Sequence, residues 1–128
     1  MSRTVLIVED DPTQMEIVSS LVSNHMAATV LLASNGKQAL AHIDRAGDAI
    51  ALIVCDLNMP EVDGIEVILE LARRRTKTPI LFVTGAVPSV LHAAQFLSQV
   101  HKLKVVNLLQ KPTSPARLCA SLDKALAA

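Results

Sequence analysis

The 128-residue sequence has almost no aromatic side chains, since Trp and Tyr are absent and Phe82 and Phe96 are the only phenylalanines. This scarcity nearly excludes base-stacking platforms, aromatic cages and sugar-stacking clefts, because such sites are built from exposed rings. A net charge is absent as well, because 12 basic residues balance 12 acidic ones. The balance excludes a dominant polybasic surface for nucleic acids and an acidic disordered tail.

Cysteines and long hydrophobic runs are equally scarce. Cys55 and Cys119 cannot supply the disulfide framework of a small secreted protein. The longest unbroken apolar stretch, 49–55, is far too short to cross a bilayer, and no signal-peptide pattern opens the chain. We therefore expect a cytoplasmic protein without a membrane partner. Its 51% hydrophobic residues exclude global disorder, and its length predicts one domain over residues 1–128.

Five short runs rich in Val, Ile and Leu are nearly continuous rather than alternating, which is typical of parallel strands buried on both faces. They recur about every 25 residues, which leaves room for a crossover helix between successive strands. The runs are Val5–Val8, Thr29–Ala33, Leu52–Cys55, Ile80–Val83 and Val105–Leu109. The sequence therefore predicts an α/β fold, a three-layer (βα)5 doubly wound parallel sheet.

The segments between these runs have helical spacing and recognisable starts. Asp11-Pro12 and Ser114-Pro115 each predict an N-cap followed by proline at the first helical position. Within the third predicted helix, the apolar stripe is formed by Ile65, Ile68, Leu69 and Ala72. We expect this stripe to face the sheet.

Polar residues collect where four of the five predicted strands end. In doubly wound sheets, ligands bind beyond the carboxyl ends of the strands. Clustered carboxylates there favour Mg²⁺, a carboxylate can attack phosphorus, and a lysine and a hydroxyl can hold phosphoryl oxygens. Each residue alone has an ordinary structural explanation, but their coincidence favours a phosphoryl-transfer site. The residues are Glu9, Asp10 and Asp11 after the first strand, Asp56 after the third, Thr84 at the fourth and Lys111 after the fifth.

Four segments together resemble the receiver domain of bacterial two-component response regulators. They are 5–12 (VLIVEDDP), 56–64 (DLNMPEVDG), 79–85 (PILFVTG) and Lys111-Pro112, in the order and spacing of that family. The resemblance covers essentially the whole chain. It implies the flavodoxin-like strand order 2-1-3-4-5, with a phosphoryl group accepted from a sensor histidine kinase, a phosphotransfer protein or a small phosphodonor.

The resemblance also implies a role for individual residues. Asp56 resembles the phosphoacceptor, Asp10 the direct Mg²⁺ ligand, and Glu9 the acid that holds the metal through water or orients it. Asn58 would offer its backbone carbonyl to the metal. Thr84 and Lys111 would hold phosphoryl oxygens, and Asp11 would be a third, less central acid. The resemblance further implies a cis peptide bond between Lys111 and Pro112. Met59-Pro60 and Asp63-Gly64 would shape the loop after the third strand.

One position departs from the family. An aromatic residue often stands three positions before the lysine and moves inward together with the threonine, but this chain has Leu108. A leucine can still change rotamer and fill a hole, but it has no ring or hydroxyl, so whether the usual threonine–aromatic coupling operates here stays open. Three apolar residues of the fourth helical segment lie off its main stripe: Leu91, Phe96 and Leu103. They are either scattered surface residues or part of a partner surface on helix 4, strand 5 and helix 5. The chain could form a homodimer through such a surface.

Other functions stay open. One is a phosphate-independent scaffold or dimerisation module, such as the N-terminal part of a larger regulator of the cyclic-di-GMP phosphodiesterase kind. Another is a phosphatase of the haloacid-dehalogenase type, but Asn58 stands where its general acid would be. A flavin carrier is disfavoured because acids replace its phosphate loop. We expect a signalling domain rather than an enzyme, without direct binding of nucleic acid.

Overall fold

The computed structural model describes residues 3–59 and 64–127. Within these residues, five strands alternate with five α-helices, and a 3₁₀ turn (Gly47–Ala49) precedes the third strand. All five predicted runs are strands, which extend the predicted bounds by one or two residues. The strands are β1 (Arg3–Val8), β2 (Ala28–Ala33), β3 (Ile50–Cys55), β4 (Ile80–Thr84) and β5 (Val105–Gln110). The helices are α1 (Pro12–His25), α2 (Gly36–Ala46), α3 (Gly64–Arg73), α4 (Pro88–Val100) and α5 (Pro115–Leu126).

The strands form one parallel sheet in the order β2-β1-β3-β4-β5. This result confirms both the predicted α/β fold and the strand order 2-1-3-4-5. The direction of the connections reverses at β1, because α1 leads to β2 on one side and α2 leads to β3 on the other. Such a reversal opens a crevice between the carboxyl ends of β1 and β3, where doubly wound sheets bind their ligands.

The core has two halves because successive side chains of a strand point to opposite faces of the sheet. On one face, Leu6 and Ile53 belong to a buried cluster with residues of α2, α3 and α4. On the other face, Val5 and Leu52 belong to a cluster with residues of α1 and α5. Burial on both faces explains why the strands read as continuous apolar runs rather than as alternating ones.

Side-chain caps fix the starts of α1, α2 and α5. The carboxylate of Asp11 accepts hydrogen bonds from the backbone N–H groups of Thr13 (2.9 Å) and Gln14 (3.4 Å), which confirms the predicted start of α1. Asn35 caps α2, and Ser114 caps α5 as predicted. By contrast, α4 follows Val87, which has no side-chain group that could accept such a bond.

The predicted apolar face of α3 is partly wrong. Leu69, which the spacing assigned to the buried stripe, is 44% exposed. The buried residues of the helix are Gly64, Val67, Ile68 and Leu71. The helix is apolar over a wide arc, so the sequence pattern alone did not fix its rotation. Gly64, the first residue of the helix, lies close against the backbone of Leu57.

The predicted exposure of the fourth helix also needs correction. Leu103 lies beyond the end of α4, and both Leu103 and Leu91 pack as half-buried residues against the core. Phe96, in contrast, is 64% exposed on α4. The outward apolar residues that remain on this helix are therefore Phe96 and Val100.

Part of the predicted loop after β3, Pro60 and Asp63, lies outside the described residues. In the described ranges, no helix combines the length and the hydropathy that a membrane-spanning segment needs.

Candidate functional site

The carboxyl ends of four strands deliver the predicted polar residues to one edge of the sheet. Glu9 and Asp10 directly follow β1, Asp56 directly follows β3, and Lys111 directly follows β5. Thr84 is the last residue of β4. Since β1 and β3 are neighbours, their acids meet at the crevice where the strand order reverses.

Three carboxylates form a cluster at this edge. One carboxylate oxygen from each of Glu9, Asp10 and Asp56 lies within 4.8 Å of the others. Glu9 is 4% exposed and Asp56 is 5% exposed, while Asp10 is half-buried. Burial raises the pKa of Glu9, and the negative charge of Asp56 adds to this effect, although hydrogen bonds from Lys111 and from the backbone of Asp11 oppose it.

Lys111 supplies the positive charge that holds the cluster together. Its Nζ atom donates hydrogen bonds to Oε1 of Glu9 at 2.5 Å and to Oδ2 of Asp56 at 3.1 Å. Burial acts to lower the pKa of Lys111, but the hydrogen bonds and charges of Glu9 and Asp56 outweigh it, so its pKa lies above the ordinary value. Lys111 is therefore an ammonium ion that bridges β1 and β3 from the end of β5.

Backbone groups hold the other atoms of the site. Oδ1 of Asp56 accepts a hydrogen bond from the backbone N–H of Asn58 at 3.0 Å, so the backbone of Asn58 lies beside the cluster while its side chain is exposed. Oγ1 of the fully buried Thr84 accepts bonds from the N–H groups of Leu57 (3.4 Å) and Ala86 (3.1 Å). Because these bonds use its oxygen as acceptor, the hydroxyl proton of Thr84 is left to donate.

The structure gives Asp11 a different role from the other acids. Its carboxylate caps α1, and only its backbone N–H reaches the cluster, through a 3.1 Å bond to Oε2 of Glu9. The sequence had predicted both the cap and a place for Asp11 at the edge of the acidic set, and the structure confirms the cap. The N–H groups of Leu57 and Ala86 were not singled out from the sequence, because any residue other than proline supplies such a group.

Cys55 is next to the cluster but takes no part in it. Its thiol is buried and donates to the backbone carbonyl of Asp56 at 3.1 Å. Burial raises the pKa of this thiol, and the charges of Asp56 and Glu9 raise it further. Cys55 is therefore a protonated core residue and not a nucleophile.

A comparison with protein families assigns the chain to a family. The family model of the response regulator receiver domain matches residues 5–123. The chain belongs to this family. Receiver domains are signalling domains of two-component systems rather than classical enzymes, and they generally bind Mg²⁺ at an acidic pocket.

Full-length relatives place receiver domains of this kind in regulators. The transcriptional regulatory protein ZraR of Escherichia coli O157:H7 is 35% identical over 124 residues, which cover 96% of this receiver chain and 26% of ZraR. The positive alginate biosynthesis regulatory protein of Pseudomonas aeruginosa is 34% identical over 123 residues, or 94% of this chain and 46% of that protein. The chain thus spans about a quarter of the first relative and less than half of the second.

A solved structure confirms the fold of the receiver. The Vibrio cholerae chemotaxis protein CheY4 superposes with a TM-score of 0.80 at 26% identity, over 98% of this chain and 100% of that one. The strand order is thus that of a receiver domain.

The acidic edge of this receiver fits a hard divalent cation. Its three carboxylates converge to within 4.8 Å, and carboxylate oxygens are the ligands that Mg²⁺ takes from proteins. With all three ionised, the acids exceed the single ammonium of Lys111 by two negative charges, which one divalent cation neutralises. The donor set present is therefore suitable in chemistry and in charge.

Proposed function

We propose that this receiver accepts a phosphoryl group on Asp56 from a sensor histidine kinase or a phosphotransfer protein, in a Mg²⁺-dependent reaction. The observation that carries this proposal is the bridge from Lys111 to Glu9 and Asp56 beside a third acid, Asp10. It combines a carboxylate nucleophile, a fixed positive charge and a set of oxygen ligands at one crevice.

The transfer itself is a displacement at phosphorus. A carboxylate oxygen of Asp56 forms the new bond to phosphorus while the phosphorus–nitrogen bond of a phosphohistidine breaks. The electron pair of that bond leaves with the imidazole nitrogen, which then takes up a proton. Asp56 is left as an acyl phosphate.

The surrounding groups position the carboxylate and receive the new charge. Both oxygens of Asp56 are held before the reaction, one by the N–H of Asn58 and one by Lys111. Lys111 would then pair with phosphoryl oxygens, and Thr84 would donate its hydroxyl proton to another. When bound by Glu9, Asp10, Asp56 and the backbone carbonyl of Asn58, Mg²⁺ would supply the divalent charge that offsets the transferred group.

The decisive experiment is intact-mass measurement after incubation with acetyl phosphate, with and without Mg²⁺. We expect the wild-type chain to gain the mass of one phosphoryl group only when Mg²⁺ is present, and Asp56→Asn to gain none. Asp48→Asn is the matched control, because Asp48 is an exposed acid far from the cluster in the 3₁₀ turn. It should be phosphorylated as the wild type is.

The alternatives predict other results. The chain is a phosphate-independent scaffold if two results are negative. The wild type gains no mass, and the phosphoryl mimic beryllofluoride leaves its ¹H–¹⁵N correlation spectrum unchanged. If the wild type turns over p-nitrophenyl phosphate catalytically, it is a phosphatase. The second outcome is disfavoured because Asn58 follows Asp56 by two positions, and its carboxamide is too weak an acid to protonate a leaving group.

The same proposal extends to the output of the switch. Phosphorylation adds about −1.5 to −2 charges at the carboxyl edge and would shift the Thr84 loop together with α4, β5 and α5. Self-association through this surface is part of the proposal, because α4 exposes Phe96 and Val100. We also propose that residues 1–128 form one receiver domain, that it acts in the cytoplasm where its kinase would be, and that it does not itself bind nucleic acid.

A further inference from the structure

A cavity of about 360 Å³ lies between the C-terminal half of α4 and residues 105–108 of β5. Its apolar walls include the ring of Phe82 and the side chains of Leu103 and Leu108. The cavity shares no residue with the acidic cluster, and Lys111 is not among the residues that line it. It is therefore a feature separate from the phosphoacceptor site.

Ser98 gives this cavity a polar group that lacks a partner. The residue is 4% exposed on the buried side of α4, and its Oγ atom has no hydrogen-bond partner among the described residues. Buried hydroxyl groups are nearly always hydrogen-bonded, because an unsatisfied one loses its interaction with water without replacement. The hydroxyl turns about a single side-chain torsion, and it can then donate to or accept from a group inside the cavity.

The neighbouring amide does not satisfy Ser98, because it is engaged elsewhere. Oδ1 of Asn107 accepts a hydrogen bond from the backbone N–H of Leu108 at 2.8 Å. Its Nδ2 atom points to Oγ of Ser121 on α5, at 3.4 Å. The hydroxyl of Ser98 is thus left as the unsatisfied polar group of this cavity wall.

The walls also select the charge of an occupant. None of the residues that line the cavity, all of which are described, is charged; the polar ones carry amides or the Ser98 hydroxyl. A charged molecule would lose hydration here without gaining a counter-charge. A volume of about 360 Å³ is near the lower end of the range of small-molecule sites.

We propose that this cavity binds a small, uncharged aromatic molecule that carries one amide or hydroxyl group, hydrogen-bonded by Ser98. Phe82, Leu103 and Leu108 would contact its ring. Because α4 and β5 form opposite walls, such a ligand would hold these two elements at a fixed spacing.

The test is a titration of the ¹⁵N-labelled chain with benzamide, followed by ¹H–¹⁵N correlation spectra. Benzoate is the matched control ligand, since it has the same shape with a negative charge in place of the amide. We expect saturable shifts for benzamide at the amide signals of Ser98, Leu103, Val105 and Leu108. Benzoate should give no saturable shifts at these signals.

Three variants separate the hydroxyl from the general shape of the cavity. Ser98→Ala removes one hydrogen bond and should weaken benzamide binding about threefold to tenfold. Thr113→Val is the matched control, because Oγ1 of Thr113 is a second buried hydroxyl without a partner, and it lies in a different cavity. It should leave benzamide binding unchanged. Leu108→Phe places a ring in the cavity and should abolish binding, with circular dichroism to confirm folding.

Several outcomes would overturn the proposal. The absence of saturable shifts at these signals would mean that the cavity holds water only. Benzoate binding as tight as benzamide binding would show that the neutral walls do not select against charge. Equal benzamide binding by Ser98→Ala and wild type would show that the hydroxyl takes no part. Shifts of the same signals with protein concentration alone, together with a dimer in sedimentation, would mean that a second copy covers the cavity. Because none of these measurements uses a phosphodonor, their failure is distinguishable from failure of the phosphoacceptor proposal.

Discussion

Lys111 decides the electrostatic balance of the acidic edge at the scale of single residues. It offsets the repulsion between the nearly buried Glu9 and Asp56, while Asp10 has no contact with the lysine among the ion pairs of the described residues. The cluster therefore keeps an excess of negative charge even with the lysine in place. Folding brings these charges together, so a cation that binds only the folded state should stabilise it.

Addition of Mg²⁺ should raise the thermal midpoint of the wild-type chain. At a free Mg²⁺ concentration ten times the dissociation constant, the expected gain in the free energy of unfolding is about 1.4 kcal/mol. Asp10→Asn should lose most of this gain, because it removes one of the three converging carboxylates. The measurement is circular dichroism at 222 nm, since the chain has no tryptophan for fluorescence.

Asp48→Asn is again the control and should keep the full Mg²⁺ response. An equal response in Asp10→Asn and wild type would show that Mg²⁺ binds elsewhere.

Gly64 is the position where an added side chain meets the most resistance. A Cβ atom built there would lie 2.3 Å from Cα and 2.9 Å from the carbonyl oxygen of Leu57. The backbone N–H of Gly64 donates to that same carbonyl at 3.0 Å, so the two segments cannot separate without losing the bond. Gly64→Ala should therefore lower the free energy of unfolding by about 3 kcal/mol, the upper end for overpacked sites. Urea unfolding followed at 222 nm measures this loss.

Gly85→Ala is the matched control for Gly64→Ala. The nearest atom to a Cβ at Gly85 is Cβ of Lys111 at 3.9 Å, an ordinary van der Waals distance. The free energy of unfolding should change by less than about 1 kcal/mol. A similar loss in both variants would contradict the steric explanation.

An ion-pair network joins two neighbouring helices at the scale of elements. Arg74, directly after α3, donates from Nε and Nη2 to both carboxylate oxygens of Asp44 on α2, at 2.7 and 3.1 Å. It also donates from Nη1 to Oε2 of Glu70 at 2.8 Å. The hydrogen bond from Arg74 lowers the pKa of Asp44, and those from Arg73 and Arg74 lower the pKa of Glu70.

These shifts predict how the link depends on pH. A carboxyl group with a lower pKa in the folded state stabilises the fold above its ordinary pKa and loses this effect as the pH falls through the lowered value. Arg74→Gln should therefore reduce the free energy of unfolding at pH 7 slightly, since exposed ion pairs contribute little. The difference from wild type should shrink as the pH falls below about 4. Urea unfolding between pH 7 and pH 3 checks the trend.

Arg75→Gln provides the comparison, because it removes the same charge from the adjacent exposed position. If its difference from wild type has the same size and pH dependence, general charge and not the link from α2 to α3 is responsible.

At the scale of the whole molecule, α4 exposes two large apolar side chains and precedes β5, the strand at the edge of the sheet. Phe96 is 64% and Val100 is 55% exposed, one turn apart on the same helix. The acidic cluster lies at the carboxyl edge of the sheet, away from these side chains. If phosphorylation changes the association, we expect α4 to move relative to the sheet.

Phe96→Ala should leave acetyl-phosphate labelling of Asp56 unchanged and weaken any dimer. The reason is that truncation of a central aromatic side chain typically costs more than 1 kcal/mol of binding. Sedimentation velocity with and without beryllofluoride measures the association. Ile17→Ala, which truncates an exposed apolar residue on α1, is the control and should leave the association unchanged. A wild-type monomer in both states would rule out the self-association surface.

Much of this protein was predictable because its signals are local. The continuous apolar runs identified all five strands, since burial on both faces demands apolar residues at successive positions. Asp11-Pro12 and Ser114-Pro115 marked two helix starts, because a cap bonds to backbone groups only two or three residues away. The order of acids, threonine and lysine along the chain, with the family resemblance, indicated the acidic edge.

Only the tertiary structure showed how closely the acids from two different strands approach one another, although the sequence had already predicted Asp11 as the cap of the first helix. Asp10 and Asp11 are neighbours of the same type, yet one converges with Glu9 and Asp56 while the other caps α1. Likewise, the structure buries Val67 and exposes Leu69 on α3, which the spacing of apolar residues alone did not indicate. The unsatisfied hydroxyl of Ser98 could not be read from its position on α4. In each case the deciding contact joins residues brought together by packing, and sequence patterns report periodicity and neighbours but not the partner across a fold.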